Sequence, residues 1–392
     1  MTSRALLRRR LTGALVVTTA TCAWLAACEE RFPAALGNVP SDEASVAPDG
    51  GDGGAEQDTD AAVVPRGARV LGLDVDLSGQ TLLEHVQTAR DAGATTTTVS
   101  YAWDEVEVPF DGGAPDAATT ALFQPGLHVA NLVLSSEHAS ALLEIDAVDV
   151  SGPRMPADLA GLPLDDPQVA VRYGRVIDYV VSQMPDLQLD VLLVASGVDR
   201  AFGDDANRYA QLATFIERAK AYAQSVGAPF RIGFAVGEDG MAARRSLLDA
   251  AWNGSDVLGV TVFPADASGH VLPPASVGDA FDRIAQAAPP DKPVVIRAGY
   301  PSAAACGSDG DAQAAFVRTA FQAWDRNATR IAVFDLVELD DASLSVAKAR
   351  AERQGRSDEA WVAFFGSLGL RDGTAGKAAL GDFRALAHAR GW

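Results

Sequence analysis

From Ala68 almost to the C-terminus, short apolar runs alternate with helix-patterned segments, and few folds accommodate that rhythm eight times over. The runs fall at 69–76, 95–101, 126–134, 189–195, 230–236, 256–263, 293–298 and 330–337. Most are bounded by turn residues, and several are rich in β-branched side chains, as strands are. Helical spacing marks 81–92, 166–184, 206–226, 241–252, 277–288, 312–324 and 380–389. The stretch 135–165 breaks the alternation and is expected to be an insertion after strand three, a hairpin over one end of the sheet. Eight strand–helix units in about 325 residues predict an α/β fold, a (β/α)8 TIM barrel with a strand-3 insertion. A doubly wound open sheet is the competitor, but Asp74-Val75-Asp76-Leu77-Ser78-Gly79 after strand one is not its glycine fingerprint.

Ahead of the barrel segment, 68–392, lie two others. Residues 1–27 carry Arg4, Arg8, Arg9 and Arg10 and then an apolar run too short for a comfortable membrane span. Leu25-Ala26-Ala27-Cys28 resembles a bacterial lipobox, which implies a lipoprotein signal peptide and a lipidated Cys28 that anchors the chain to the membrane. By resemblance to lipoprotein sorting, Glu29 after the cysteine favours the outer membrane of the cell envelope. Residues 28–67 read as a disordered acidic tether: 29–67 hold nine carboxylates and two arginines around a Gly-rich centre. The net charge is −20, and loss of 1–27, with its four arginines and no acid, would take it to −24. Such a balance excludes nucleic acid as a partner and a polybasic membrane patch. With Cys22 removed and Cys28 acylated, Cys306 is left without a disulfide partner. A monomer is expected.

Barrel enzymes place their chemistry where strands end. The first strand ends in Asp74 and Asp76, read as hydrogen-bond anchors for loops. The second ends in Tyr101-Ala102-Trp103-Asp104-Glu105-Val106-Glu107, and the fourth in Ser196-Gly197-Val198-Asp199. The fifth ends near Glu238-Asp239, the sixth in Phe263-Pro264, the seventh in Arg297 and Tyr300. The eighth runs into Asp335, Glu338, Asp340 and Asp341, read as a solvated acidic loop. Ser196 lacks the glycines of a nucleophile elbow. Lys377 is followed by Ala378 and forms no phosphate loop. The five histidines show no ligand spacing, so neither metal nor cofactor is expected.

Gly299-Tyr300-Pro301-Ser302 closes the seventh strand. Trp103-Asp104-Glu105-Val106-Glu107, Gln313-Ala314-Ala315-Phe316-Val317 and the tail Leu368-Gly369-Leu370-Arg371-Asp372-Gly373 fall in matching order. Together they resemble clan A glycoside hydrolases of the endo-β-glucanase and galactanase type over roughly 68–390. The resemblance implies a nucleophile Glu where this chain has Arg297, and an acid/base Glu where it has Gly197. Neither residue can do that chemistry, which in retaining enzymes needs two carboxylates about 5–5.5 Å apart.

The resemblance therefore implies an inactive barrel that binds a glycan or partner through a vestigial cleft. An active hydrolase using displaced carboxylates such as Glu105, Glu238 or Glu338, and a ligand-free structural lipoprotein, are the alternatives. Cleft candidates are Asp74, Tyr101, Trp103, Asp104, Glu105, Asp199, Phe263, Arg297, Tyr300 and Glu338. Arg297 shares its strand face with Val295. It is expected to point into the barrel mouth and pair with Asp199, Glu338, Asp104 or Glu105.

Overall fold

The computed structural model describes residues 63–77, 81–109 and 120–392. The leader, Cys28 and the tether as far as residue 62 lie outside them. Eight parallel strands close into a barrel in chain order. They are β1 (Val70–Leu73), β2 (Thr96–Ala102), β3 (Ser140–Asp146), β4 (Leu189–Leu193), β5 (Arg231–Gly237), β6 (Val257–Val262), β7 (Val294–Ala298) and β8 (Ile331–Leu336). The barrel shuts where Gly72 of β1 stands opposite Asp335 of β8. The principal helices outside it are α1 (Leu82–Asp91), α2 (Pro125–Ser136), α3 (Pro167–Gln183), α4 (Ala206–Ser225), α5 (Arg245–Gly254), α6 (Ser276–Ala287), α7 (Gly310–Arg326) and α8 (Ala378–Ala389). Among the described residues no helix is long and apolar enough to cross a membrane.

The third strand is not 126–134. That stretch lies within α2, and β3 lies inside the segment expected to be an insertion. Pro125 occupies the first turn, where its missing N–H costs nothing. The Gln124 side chain accepts from the Gly126 N–H at 3.3 Å. The buried face, Leu127, Ala130, Asn131 and Leu134, has helical spacing. Val129 and Leu132, 40% and 54% exposed, put apolar residues on the other side too and hide that period. The insertion is split in two. A short helix (Trp103–Val106) and a hairpin of Glu107–Pro109 with Thr120–Leu122 follow β2. A smaller hairpin of Val148–Asp149 with Gly152–Pro153 follows β3. Two further helices, Leu344–Arg353 and Glu359–Gly366, separate β8 from α8.

Strand alternation stacks the barrel interior in layers. Leu142, Val191, Leu193, Ala235, Val257, Val295 and Val333 fill its lower part with hydrocarbon. Two residues further along their strands, the same faces carry Glu144, Arg297 and Asp335. At the N-terminal rim, Asp325 of α7 accepts from Arg69 Nη1 at 2.9 Å and from Arg390 Nη2 at 2.6 Å. Trp324 stacks on Trp392, and the Arg69 guanidinium lies 4.4 Å from the Trp324 ring centre.

Candidate functional site

The upper layer of the barrel is ionic. Arg297 projects from β7 into the mouth and divides its guanidinium among three strands. Its Nη2 donates to Asp74 at 2.6 Å, its Nη1 to Glu144 at 2.9 Å, and its Nε to Asp335 at 3.3 Å. None of the four expected partners is used. Asp199 accepts from the Gly237 N–H at 2.8 Å, and Glu338 pairs with Arg350 at 3.0 Å. Asp104 and Glu105 are held by Arg154 at 2.9 Å and 3.2 Å on the rim. Glu144 could be found only once β3 was placed correctly. Its signal is the alternation Leu142, Glu144, Asp146, an apolar residue and then two acids on one strand face.

The carboxylates are anchored from below. Asp74 accepts from the Thr98 N–H at 2.8 Å, and Asp335 from the Thr98 hydroxyl at 2.7 Å. Asp335 is fully buried rather than part of a solvated loop. Gly72 makes room for it: a Cβ there would lie 2.2 Å from Asp335 Oδ1. Burial pushes the Asp335 carboxyl well above the usual range, and Asp74 adds to this, while Arg297 opposes it. Asp146, at the end of β3, takes a 2.5 Å hydrogen bond from the Ser196 hydroxyl. Its other oxygen is buried without a partner. Burial and Glu144 push this carboxyl up too. For Arg297, burial works against the charge, but Asp74, Glu144 and Asp335 outweigh it and raise its pKa. The remaining acids after β8 are also paired, Asp340 with Arg371 and Asp341 with Lys377.

Above this layer the mouth stays wet. Ser100, which donates to Glu144 at 3.3 Å, is exposed, and the Arg297 side chain is 21% exposed. Ser196 and Thr261 are half-buried, and Thr261 stands in register with Arg297. Small hydroxylated side chains therefore border a charged floor. A segment after β8 extends over it. Gln354 accepts from Arg200 at 2.6 Å, Arg353 lies 3.9 Å from Glu105, and Arg356 donates to the Ala267 carbonyl at 2.9 Å. It thus touches the loops that follow β4, β2 and β6.

Of the aromatic candidates, Trp103 and Tyr300 are buried and Tyr101 and Phe263 half-buried. Trp103 is fully buried, donates to Glu107 at 3.1 Å and meets Tyr173 edge-on. Tyr300 stacks on Phe316 and donates to the Leu272 carbonyl at 2.8 Å. Tyr101 packs against the outer core, its hydroxyl beside Gly126. Phe263 meets Phe364 and Phe365 in a side cluster. The motifs behind the family resemblance are tied together: Gln313 donates to the carbonyls of Tyr300, Leu368 and Gly369. Gly197 adopts φ +56°, and a Cβ there would lie 3.1 Å from that of Val150. Among the described residues no group of acids, histidines and cysteines could hold a metal. A cavity of about 370 Å³ opens at the opposite rim. Its cations are engaged: Lys292 with the Ser255 carbonyl, Arg330 with those of Ala288 and Pro289.

No family model matches the chain, and no curated protein does. Solved structures do. A β-glucosidase superposes with a TM-score of 0.55 at 14% identity, covering 79% of this chain and 87% of its own. GH5_18 from Bifidobacterium longum subsp. longum gives 0.61 at 13%, covering 82% and 79%. The exo-β-1,4-mannosidase Op5Man5 from an Opitutaceae bacterium gives 0.59 at 14%, covering 82% and 59%. The chain thus shares the (β/α)8 barrel fold of these enzymes.

Proposed function

We propose that this protein is a non-catalytic glycoside hydrolase-like barrel of the bacterial envelope, anchored through Cys28 and binding a glycan at the barrel mouth. The observation that carries the reading is Arg297, which occupies the inward position at the end of β7 and is held by Asp74, Glu144 and Asp335. A retaining glycosidase needs a carboxylate nucleophile and a second carboxyl about 5–5.5 Å away. A guanidinium cannot form a glycosyl ester, and at the end of β4 Gly197 stands at the acid/base position while Asp199 is buried and taken up by the Gly237 N–H. Glycan binding is supported by the hydroxyl side chains of Ser100, Ser196 and Thr261 at the mouth and by neighbours named as a β-glucosidase and a mannosidase.

One observation favours a second reading, hydrolysis through displaced carboxyls. Asp146, whose carboxyl is pushed up by burial and by Glu144, lies two residues from Glu144 on the same strand, as an acid must lie near its partner carboxylate. Reducing-end release from β-glucans, mannans and galactans by the full chain separates the two. Binding without turnover is expected; turnover lost in Asp146→Asn would establish the hydrolase instead. Incorporation of labelled fatty acid, abolished by Cys28→Ala, tests the anchor.

A further inference from the structure

The chemistry of the mouth also says which glycans fit it. Around the Arg297 guanidinium stand the carboxyls of Asp74, Glu144, Asp146 and Asp335. The guanidinium already donates to three of them, so it has little left for an acidic sugar, and the surrounding acids would repel one. Asp146 is 6% exposed, and one of its oxygens has no partner, although a buried carboxyl oxygen ordinarily has one. Its other oxygen is reached through the Ser196 hydroxyl at the edge of the wet mouth. Ser100 is exposed and bonded to Glu144. What is missing at this corner is a donor, preferably a charged one.

We propose that the corner formed by Ser100, Glu144, Asp146 and Ser196 is a subsite for the protonated amino group of an amino-sugar glycan. This rests on the glycan-binding reading and narrows it. An ammonium brings three donors and a positive charge. It would satisfy the orphaned oxygen and relieve the repulsion among the acids, while ring hydroxyls meet Ser196 and Thr261. A neutral sugar supplies only the hydroxyls.

The charged and titratable groups facing Asp146 are Glu144 on its own strand, Asp149 on the hairpin after it, Arg297 from β7 and Tyr173 from α3. An ammonium arriving among them favours the ionised form of Asp146. Binding should therefore release a proton into the buffer.

The test is calorimetry on the full chain at about pH 6 in buffers of different ionisation enthalpy. The probes are a glucosamine tetramer, its N-acetylated counterpart, cellotetraose and tetralysine. The glucosamine tetramer should bind at least about tenfold more tightly than the others and release protons. Asp146→Asn should lose both the preference and the proton release. Equal binding of the neutral sugars would overturn the subsite and leave glycan binding standing. Equal binding of tetralysine would reduce it to general charge attraction and overturn it as well. Failure of every sugar to bind would overturn both this inference and the glycan-binding reading.

Discussion

Replacing Arg297 with alanine tests the ionic layer most directly. The guanidinium is the shared counter-charge for Asp74, Glu144 and Asp335, whose side chains are 12%, 5% and 0% exposed. Removing one partner of a buried ion pair typically costs about 3–5 kcal/mol. Two features lower that figure here. The Arg297 tip is partly open to water, which screens it, and burial already favours a protonated Asp335. A loss of about 2–3 kcal/mol follows, which in a domain of this size is a fall in Tm of about 4–6 °C. The pH dependence is more diagnostic. Asp146 and Asp335 have folded pKa values above their unfolded ones, so they stabilise the fold increasingly as pH falls from neutral towards about 4. Arg297 lowers both, so removing it raises them further and enlarges that gain. The deficit of Arg297→Ala should be greatest near neutrality and shrink on acidification, as read by thermal melts across the pH range. A deficit that stays constant between about pH 5 and pH 7.5 would refute the electrostatic account and leave only lost packing.

Other substitutions probe separate parts of the argument. Arg297→Glu should destabilise more than Arg297→Ala, because it sets a like charge among the same three acids; melts at neutral pH give the order. Gly72→Ala should cost about 1–3 kcal/mol in denaturant unfolding, since the new methyl group meets Asp335 Oδ1. Asp325→Ala leaves Arg69 and Arg390 buried without their shared carboxylate and should cost about 3–5 kcal/mol, with no effect on glycan affinity. Gly197→Glu, needed to rebuild the missing acid, should itself cost about 1–3 kcal/mol for a non-glycine residue at φ +56°.

Much of the architecture was legible because a strand–helix alternation leaves few ways to bury its apolar faces. Seven of the eight strands lie where short apolar runs predict them. The exception, β3, shows how the reading fails. Val129 and Leu132 put apolar side chains on the solvent face of α2 and blur its helical period, and the 135–165 stretch was long enough to hide a strand. That displacement concealed Glu144 and Asp146, which explains why the partners expected for Arg297 were the wrong ones. Strand parity gives the direction of Arg297 but cannot name its partners, since these come from β1, β3 and β8, far apart in sequence. The aromatic candidates were misplaced for a related reason. Tyr101 lies near the end of β2, and Trp103 and Tyr300 just after strand ends, but their rings turn into the helix layer, where burying an aromatic surface is worth more than leaving it wet.

The segment that follows helix Leu344–Arg353 has a consequence for traffic at the mouth. Gln354 and Arg356 bond to loops from two other sectors of the barrel, and Arg353 faces Glu105 in a third. A polysaccharide lying across the barrel top would have to break these contacts along its whole path. On the glycan-binding reading, a free chain end or a short oligomer has fewer of them to break. On that reading, termini are favoured over interior stretches: shortening a polymer at constant mass should multiply the number of ends that can be occupied.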